Sequence, residues 1–246
     1  MNASLAKSNG KNAFIFIHGY NVSFHAAALR TAQMTKDLEF DGVPIFYSWP
    51  SRNSFSLYNI DENNIENSES FIKNFIRDVL VTTNASNLYL IGHSMGTRGL
   101  TKAIISLTQE DPTLKSRIRE IILAAPDIDV DIFKRNIALP IIALGYRMTL
   151  YAATEDLALK AAKLFGGYGR AGQAGSGLVV MSGIETIDTS NVPSTDFFGH
   201  SYFADTESII KDMGSLIRNG KRASARTWLE LKAFETTPYW MFRKSG

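Results

Sequence analysis

The residues best suited to chemistry are Gly92-His93-Ser94-Met95-Gly96, set between the apolar run Leu88-Tyr-Leu-Ile91 and a helical pattern that starts near Gly96. A serine held on so tight a strand-to-helix bend projects from the carboxyl edge of a sheet. The flanking glycines are needed because a β-carbon there would collide with neighbouring backbone. The helix that follows aims its amino end at the position where negative charge grows during acyl transfer. Ser94 is therefore the candidate nucleophile. On such an elbow the acid and then the histidine follow the serine along the chain. Of His18, His25, His93 and His200, only His200 lies downstream and away from the bend, so it is the candidate general base. The acid must come from the end of an intervening strand. Asp156 after Arg147–Ala152 is preferred, Asp127 in Ala124-Ala-Pro-Asp-Ile-Asp129 is the alternative, and Glu155 and Asp188 rank behind both.

Two further segments leave strands at the same edge. His18-Gly19-Tyr20-Asn21 ends the first apolar run, so the backbone N–H of Tyr20, with that of Met95, is expected to form an oxyanion hole. Ser48-Trp-Pro-Ser-Arg52 follows the next strand, where open α/β sheets bind ligands. Trp49 could wall an acyl pocket and Arg52 could meet a substrate anion, or the segment is a structural turn with an exposed arginine.

Short apolar runs alternating with longer amphipathic stretches position these residues, which predicts a mostly parallel sheet covered by helices on both faces. Strands are expected at 13–17, 43–49, 88–91, 118–124, 147–152 and, last, within 179–188. Helices are expected at 24–40, 65–80, 96–109, near 131–137, from about 156, and at 204–218 before Gly220. In the 65–80 helix, Ile65, Phe71, Ile72, Phe75, Ile76 and Val79 are assigned to one apolar side. Six glycines between Gly166 and Gly177 read as a mobile loop. They lack the spacing and the Lys-Ser/Thr of a phosphate cradle.

At 246 residues the chain suits one domain spanning 1–246, with residues 1–10 flexible. The net charge of +2 gives no reason to expect nucleic acid, and the absence of cysteine excludes a thiolate nucleophile and Cys-ligated metal. No stretch approaches the roughly 18 apolar residues of a membrane span, and the start carries no secretion signal. As given, the sequence reads as cytoplasmic, with a periplasmic or lipid-anchored location open if a leader has been removed. Charge is uneven. Residues 215–246 hold seven Lys/Arg against two Glu, interleaved with Trp228, Phe234, Tyr239, Trp240 and Phe242. A basic terminal helix is expected, its aromatics docked and its charges facing water, with a membrane-surface or partner-binding tail as the alternative.

The blocks Phe16-Ile-His-Gly-Tyr-Asn-Val-Ser-Phe24, Phe46-Tyr-Ser-Trp-Pro-Ser-Arg52, Gly92-His-Ser-Met-Gly-Thr-Arg98, Ala125-Pro-Asp-Ile-Asp129, Tyr151-Ala-Ala-Thr-Glu-Asp-Leu-Ala-Leu159 and Gly199-His-Ser-Tyr-Phe203 occur in order. Together they resemble the bacterial α/β-hydrolases of uncharacterised function, which are lipase- and esterase-like in fold. The resemblance implies the α/β-hydrolase fold, a nucleophile at Ser94, an acid at Asp156 and a base at His200. With about thirteen residues before the first apolar strand, the strands that often open this sheet are expected to be missing or reduced. The activity implied is hydrolysis of a small-molecule carboxylic ester through an acyl-enzyme, with thioesters and amides open to the same machinery and no metal or organic cofactor needed. The rival reading is a catalytically silent scaffold that keeps the fold.

Overall fold

Ala13-Phe-Ile-Phe-Ile17 is apolar on both faces, as a strand must be when helices cover both sides of its sheet. Ala13, Ile15 and Ile17 turn into one core, and Phe14 and Phe16 into the other. The computed structural model describes residues 1–153, 169–192 and 205–244. Its eight strands are β1 (Asn12–Ile17), β2 (Gly42–Tyr47), β3 (Asn87–His93), β4 (Ile118–Ala124), β5 (Met148–Ala152), β6 (Ile184–Asp188), β7 (Leu229–Phe234) and β8 (Thr237–Phe242). They form one sheet in the order β2-β1-β3-β4-β5-β6-β8-β7. Every neighbouring pair is parallel except β7 with β8. No strand precedes β1 among the described residues, so β2 forms that edge, in keeping with the reduced opening.

The helices are α1 (Asn2–Leu5), α2 (Phe24–Asp37), α3 (Tyr58–Asn67), α4 (Glu69–Thr82), α5 (Gly96–Glu110), α6 (Val130–Ile132), α7 (Leu139–Ala143) and α8 (Asp205–Asn219). A π-helical stretch, Phe133–Ala138, joins α6 to α7. One core holds Ile65 of α3, Ile72 and Ile76 of α4, Leu100 and Ile104 of α5, and Ile141 of α7. The opposite core holds Met34 of α2 and Ile209, Met213 and Leu216 of α8. Burying one such Leu or Ile contributes about 1.5–3 kcal/mol, so these two layers supply most of the drive to fold.

Several sequence expectations need correction. The predicted 65–80 helix is two helices broken at Ser68, and Phe71 is 65 % exposed because the buried stripe of α4 runs through Ile72, Ile76, Val79 and Leu80. Residues 1–10 are not a loose arm. Leu5 is fully buried, and Asn2 Oδ1 accepts the N–H of Asn84 at 3.0 Å. The strand expected within 179–188 begins after Gly183 (φ +92°), and it is not the last, since β7 and β8 follow it.

The end of the chain is a β-hairpin, not a terminal helix. Its β-favouring aromatic and branched residues close on a two-residue turn, whose first residue, Glu235, takes φ +53°. Nor do all of its charges face water. The Arg226 side chain is fully buried against Asp212 and Glu185, and Arg222 reaches Glu120 and Glu185.

Candidate active site

Ser94 sits between β3 and α5 with φ +48°, a left-handed conformation that few non-glycine residues adopt. Its neighbouring glycines keep negative φ and are needed for close approach. A β-carbon on Gly96 would stand 2.3 Å from the His18 carbonyl oxygen, and one on Gly92 would stand 3.2 Å from Thr97 Cα. Side chains at either position would push the bend off β1 or off the first turn of α5. Ser94 is fully buried, and its Oγ has no hydrogen-bond partner among the described residues. Met95, between Ser94 and α5, occupies a helix amino terminus, where backbone N–H groups lack intrahelical acceptors.

The loop after β1 lies against this bend. A β-carbon on Gly19 would be 3.0 Å from Ser94 Cβ, so the Tyr20 segment and the nucleophile candidate share one edge of the sheet. Trp49 holds that loop from below. Its indole N–H donates to the His18 carbonyl at 2.7 Å, and its ring stacks on His18 with centroids 5.1 Å apart. Because Trp49 is buried, its visible contact is structural. Arg52 is exposed, and its backbone N–H donates to Asp61 at 2.8 Å, while the Ser51 hydroxyl donates to the other carboxylate oxygen at 2.7 Å. Burial pulls the His18 imidazole down to about 4. Its Nδ1 lies 2.8 Å from the Gly19 carbonyl, an atom that can only accept, so this nitrogen carries the proton. His18 is a buried neutral ring.

The acid and base candidates Asp156 and His200 lie outside the described residues, as does Glu155. Asp188 is turned into a local cap, accepting the Ser190 N–H at 2.8 Å. Asp127 is fully buried and already engaged. The Tyr58 hydroxyl donates to it at 2.5 Å, Arg170 Nε stands 3.3 Å away and Arg98 Nη2 3.6 Å. Burial pushes the Asp127 carboxyl up against the downward pull of Arg98, the Tyr58 hydroxyl and Arg170. For Arg98, burial alone would lower the guanidinium, but Asp127 and its other partners hold it above its usual value. Burial, and then the charge of Asp127, raises the Tyr58 hydroxyl far above the ordinary phenol range.

The described part of the glycine-rich segment is fastened rather than mobile. Ala171 N–H donates to Ile128 O at 2.8 Å, Gly172 N–H to Pro126 O at 2.9 Å, and Ala153 N–H to Gly172 O at 2.8 Å. A β-carbon on Gly172 would stand 2.3 Å from the carbonyl carbon of Ala125, so glycine lets this strap lie flush on the loop after β4. Arg98 and Arg170 are the residues of this cluster that sequence reasoning missed. Arg98, four positions after Ser94, offered the one usable signal, a charge in the otherwise small first turn of the helix.

Solved structures similar to this chain share little sequence with it. A CIB-like hydrolase from Thermoplasma acidophilum is 15 % identical, with 86 % of this chain and 88 % of that one covered and a TM-score of 0.43. The poly(3-hydroxybutyrate) depolymerase LpqC from Bordetella parapertussis is 15 % identical, with 88 % and 81 % covered and a TM-score of 0.46. Carboxyl esterase 2 from Tuber melanosporum is 11 % identical, with 84 % and 78 % covered and a TM-score of 0.47. No curated protein matches the sequence. No helix among the described residues is long and apolar enough to cross a membrane. The strand order, the serine bend and a family profile that matches residues 1–219 agree, and the chain belongs to the family described as "Alpha/beta hydrolase of unknown function (DUF900)".

Proposed function

We propose that this protein is a serine hydrolase that cleaves carboxylic esters of small molecules through an acyl-enzyme on Ser94. The observation that carries the proposal is the strained φ of Ser94 at the strand-to-helix bend, with the Gly19 loop packed on its β-carbon. In this reading Ser94 Oγ attacks the acyl carbon while His200 takes its proton and then hands it to the departing alkoxide. Water activated by the same histidine opens the acyl-enzyme. The N–H groups of Met95 and Tyr20 hold the oxyanion, each such donor lowering the barrier by about 3 kcal/mol. Asp156 orients His200. Chain order supports both assignments, since Asp156 follows the end of β5 by four residues and His200 follows the end of β6 by twelve. The engagement of Asp127 by two guanidinium groups and a phenol weighs against it as the acid.

A fluorophosphonate probe tests the nucleophile. Covalent mass on Ser94, lost in Ser94→Ala, is the expected result, and a folded protein that takes up no label would favour the silent scaffold. His200→Ala should abolish turnover of a short-chain nitrophenyl ester while the protein still melts cooperatively. Asp156→Asn should cost on the order of 10⁴ in kcat, as loss of a tautomer-fixing carboxylate does. Near-normal turnover in either variant would remove that residue from the mechanism. A panel of ester, thioester and amide substrates separates the three acyl classes.

A further inference from the structure

We propose that Asp127 is a positioning residue, its buried carboxylate pinned between Arg98 and Arg170 so as to hold the bend that carries Ser94. This inference rests on the reading of Ser94 as nucleophile. Asp127 grips the bend with backbone as well as side chain. Its N–H donates to the Ser94 carbonyl at 3.3 Å, and its carbonyl accepts from Arg98 Nε at 2.5 Å. Arg98 belongs to the first turn of α5, so Ser94 is held from the residue itself and from the helix that follows it.

A non-glycine residue at φ +48° keeps that conformation only where its surroundings over-determine it. The directional contacts are the hydrogen bonds from Tyr58 to the carboxylate, from Arg98 Nε to the Asp127 carbonyl and from the Asp127 N–H to Ser94, while the ion pairs with Arg98 and Arg170 hold the buried charge in place, so a shift of the bend must stretch several contacts at once. Tyr58 and Glu62, both on α3, complete the cluster. The tyrosine donates to Asp127, and the glutamate pairs with Arg98.

Arg170 extends the same grip to the glycine-rich strap. Residues 170–174 bond to the loop after β4 through Pro126 and Ile128, and to the end of β5 through Ala153. Ala153 is three residues before Asp156. One buried carboxylate thus ties the nucleophile bend to the strand that leads to the proposed acid. Holding the attacking hydroxyl in place is a catalytic contribution distinct from stability, and misplacement by about an ångström can cost on the order of 100-fold in rate.

The test uses the full-length enzyme with nitrophenyl ester turnover, counting active sites by fluorophosphonate titration and recording melting in parallel. Asp127→Asn should lower kcat per titrated site roughly 10- to 100-fold with KM nearly unchanged, and should slow probe labelling of Ser94 by a similar factor. The apparent pKa of the base in the pH–rate profile should stay in place. If Asp127→Asn does not fold, Tyr58→Phe and Arg98→Lys are read by the same criteria, with smaller losses expected. A wild-type kcat per titrated site in whichever variants fold would reduce the cluster to a stabilising one and overturn the proposal. So would a loss of 1,000-fold or more with a displaced pH profile, which would make Asp127 the triad acid. Failure of the parent reading appears elsewhere, as wild-type protein that never labels on Ser94, and it would take this proposal with it.

Discussion

His18 stands beside the Ser94 bend, and its surroundings set its titration. The ring is buried under Trp49, which lowers its pKa from 6.5 to about 4. As pH falls below 6.5 the unfolded chain takes up the proton first, so stability falls with it. The contribution is complete above pH 6.5, and on the order of 3 kcal/mol is gone by about pH 4. Urea melts from pH 7 to 4 should therefore show a steeper acid-side loss in wild type than in His18→Asn, whose amide can still donate to the Gly19 carbonyl. Parallel slopes would show that His18 does not titrate this way. The histidine was legible in the sequence as part of a loop after a strand, but its buried, neutral character was not. That character depends on an indole 31 residues away. The same division holds at the site. Ser94 could be read because strand, bend and helix are contiguous, whereas the Arg98–Asp127–Arg170 cluster is assembled from three separate loops and helices.

At the scale of elements, the glycine-rich strap shows how composition and structure part ways. Six glycines in twelve residues read as mobility, yet glycine serves three physical ends: freedom, positive φ and close approach. Gly172 has negative φ and no room, with the Ala125 and Pro126 backbone 2.3–2.4 Å from where its β-carbon would be. Gly175 has room, with nothing within 4 Å, but takes φ +76°. The two should fail differently. Gly175→Ala is expected to cost about 1–2 kcal/mol, the usual penalty for a β-carbon in the left-handed region. Gly172→Ala must move backbone and should cost more, on the order of 3 kcal/mol, as an overpacked site does. Gly172→Ala should also slow turnover, because the displaced segment carries Arg170. Chemical denaturation of both variants checks the ranking, and a larger loss at Gly175 would show that conformation governs the strap. The elements bordering it were read well because apolar runs such as Ile121–Ala124 are buried on both faces. The hairpin β7–β8 was not, because its first strand carries Glu230 and Lys232 and follows a run of arginines whose charged partners lie far away in sequence.

Across the whole molecule, those charges explain an asymmetry that the sequence leaves ambiguous. The basic end of the chain is matched by acidic groups on the body: Arg218 by Glu39, Arg222 by Glu120 and Glu185, and Arg226 by Asp212 and Glu185. Glu120 and Glu185 stand early in β4 and β6, whereas Ser94 and Asp127 follow the carboxyl ends of β3 and β4. The hairpin is thus locked on by charge at one end of the sheet while the candidate chemistry sits at the other. Arg226 is the centre of the lock, its side chain fully buried, with Asp212 also accepting from Tyr151 at 2.6 Å and from Trp228 at 2.6 Å. Removing it leaves two carboxylates without their main counter-charge in a place that water reaches poorly, so Arg226→Ala should cost about 3–5 kcal/mol. The exposed pair Lys232–Glu230 is the control, and Lys232→Ala should change stability by no more than about 1 kcal/mol. Because the lock is remote from Ser94, turnover per titrated site in folded Arg226→Ala should match wild type at low temperature, while its melting point falls. A variant with unchanged melting would mean that the arginine contributes no net stability there. One with normal stability and depressed turnover would mean instead that the charged end of the sheet is coupled to the nucleophile through β5.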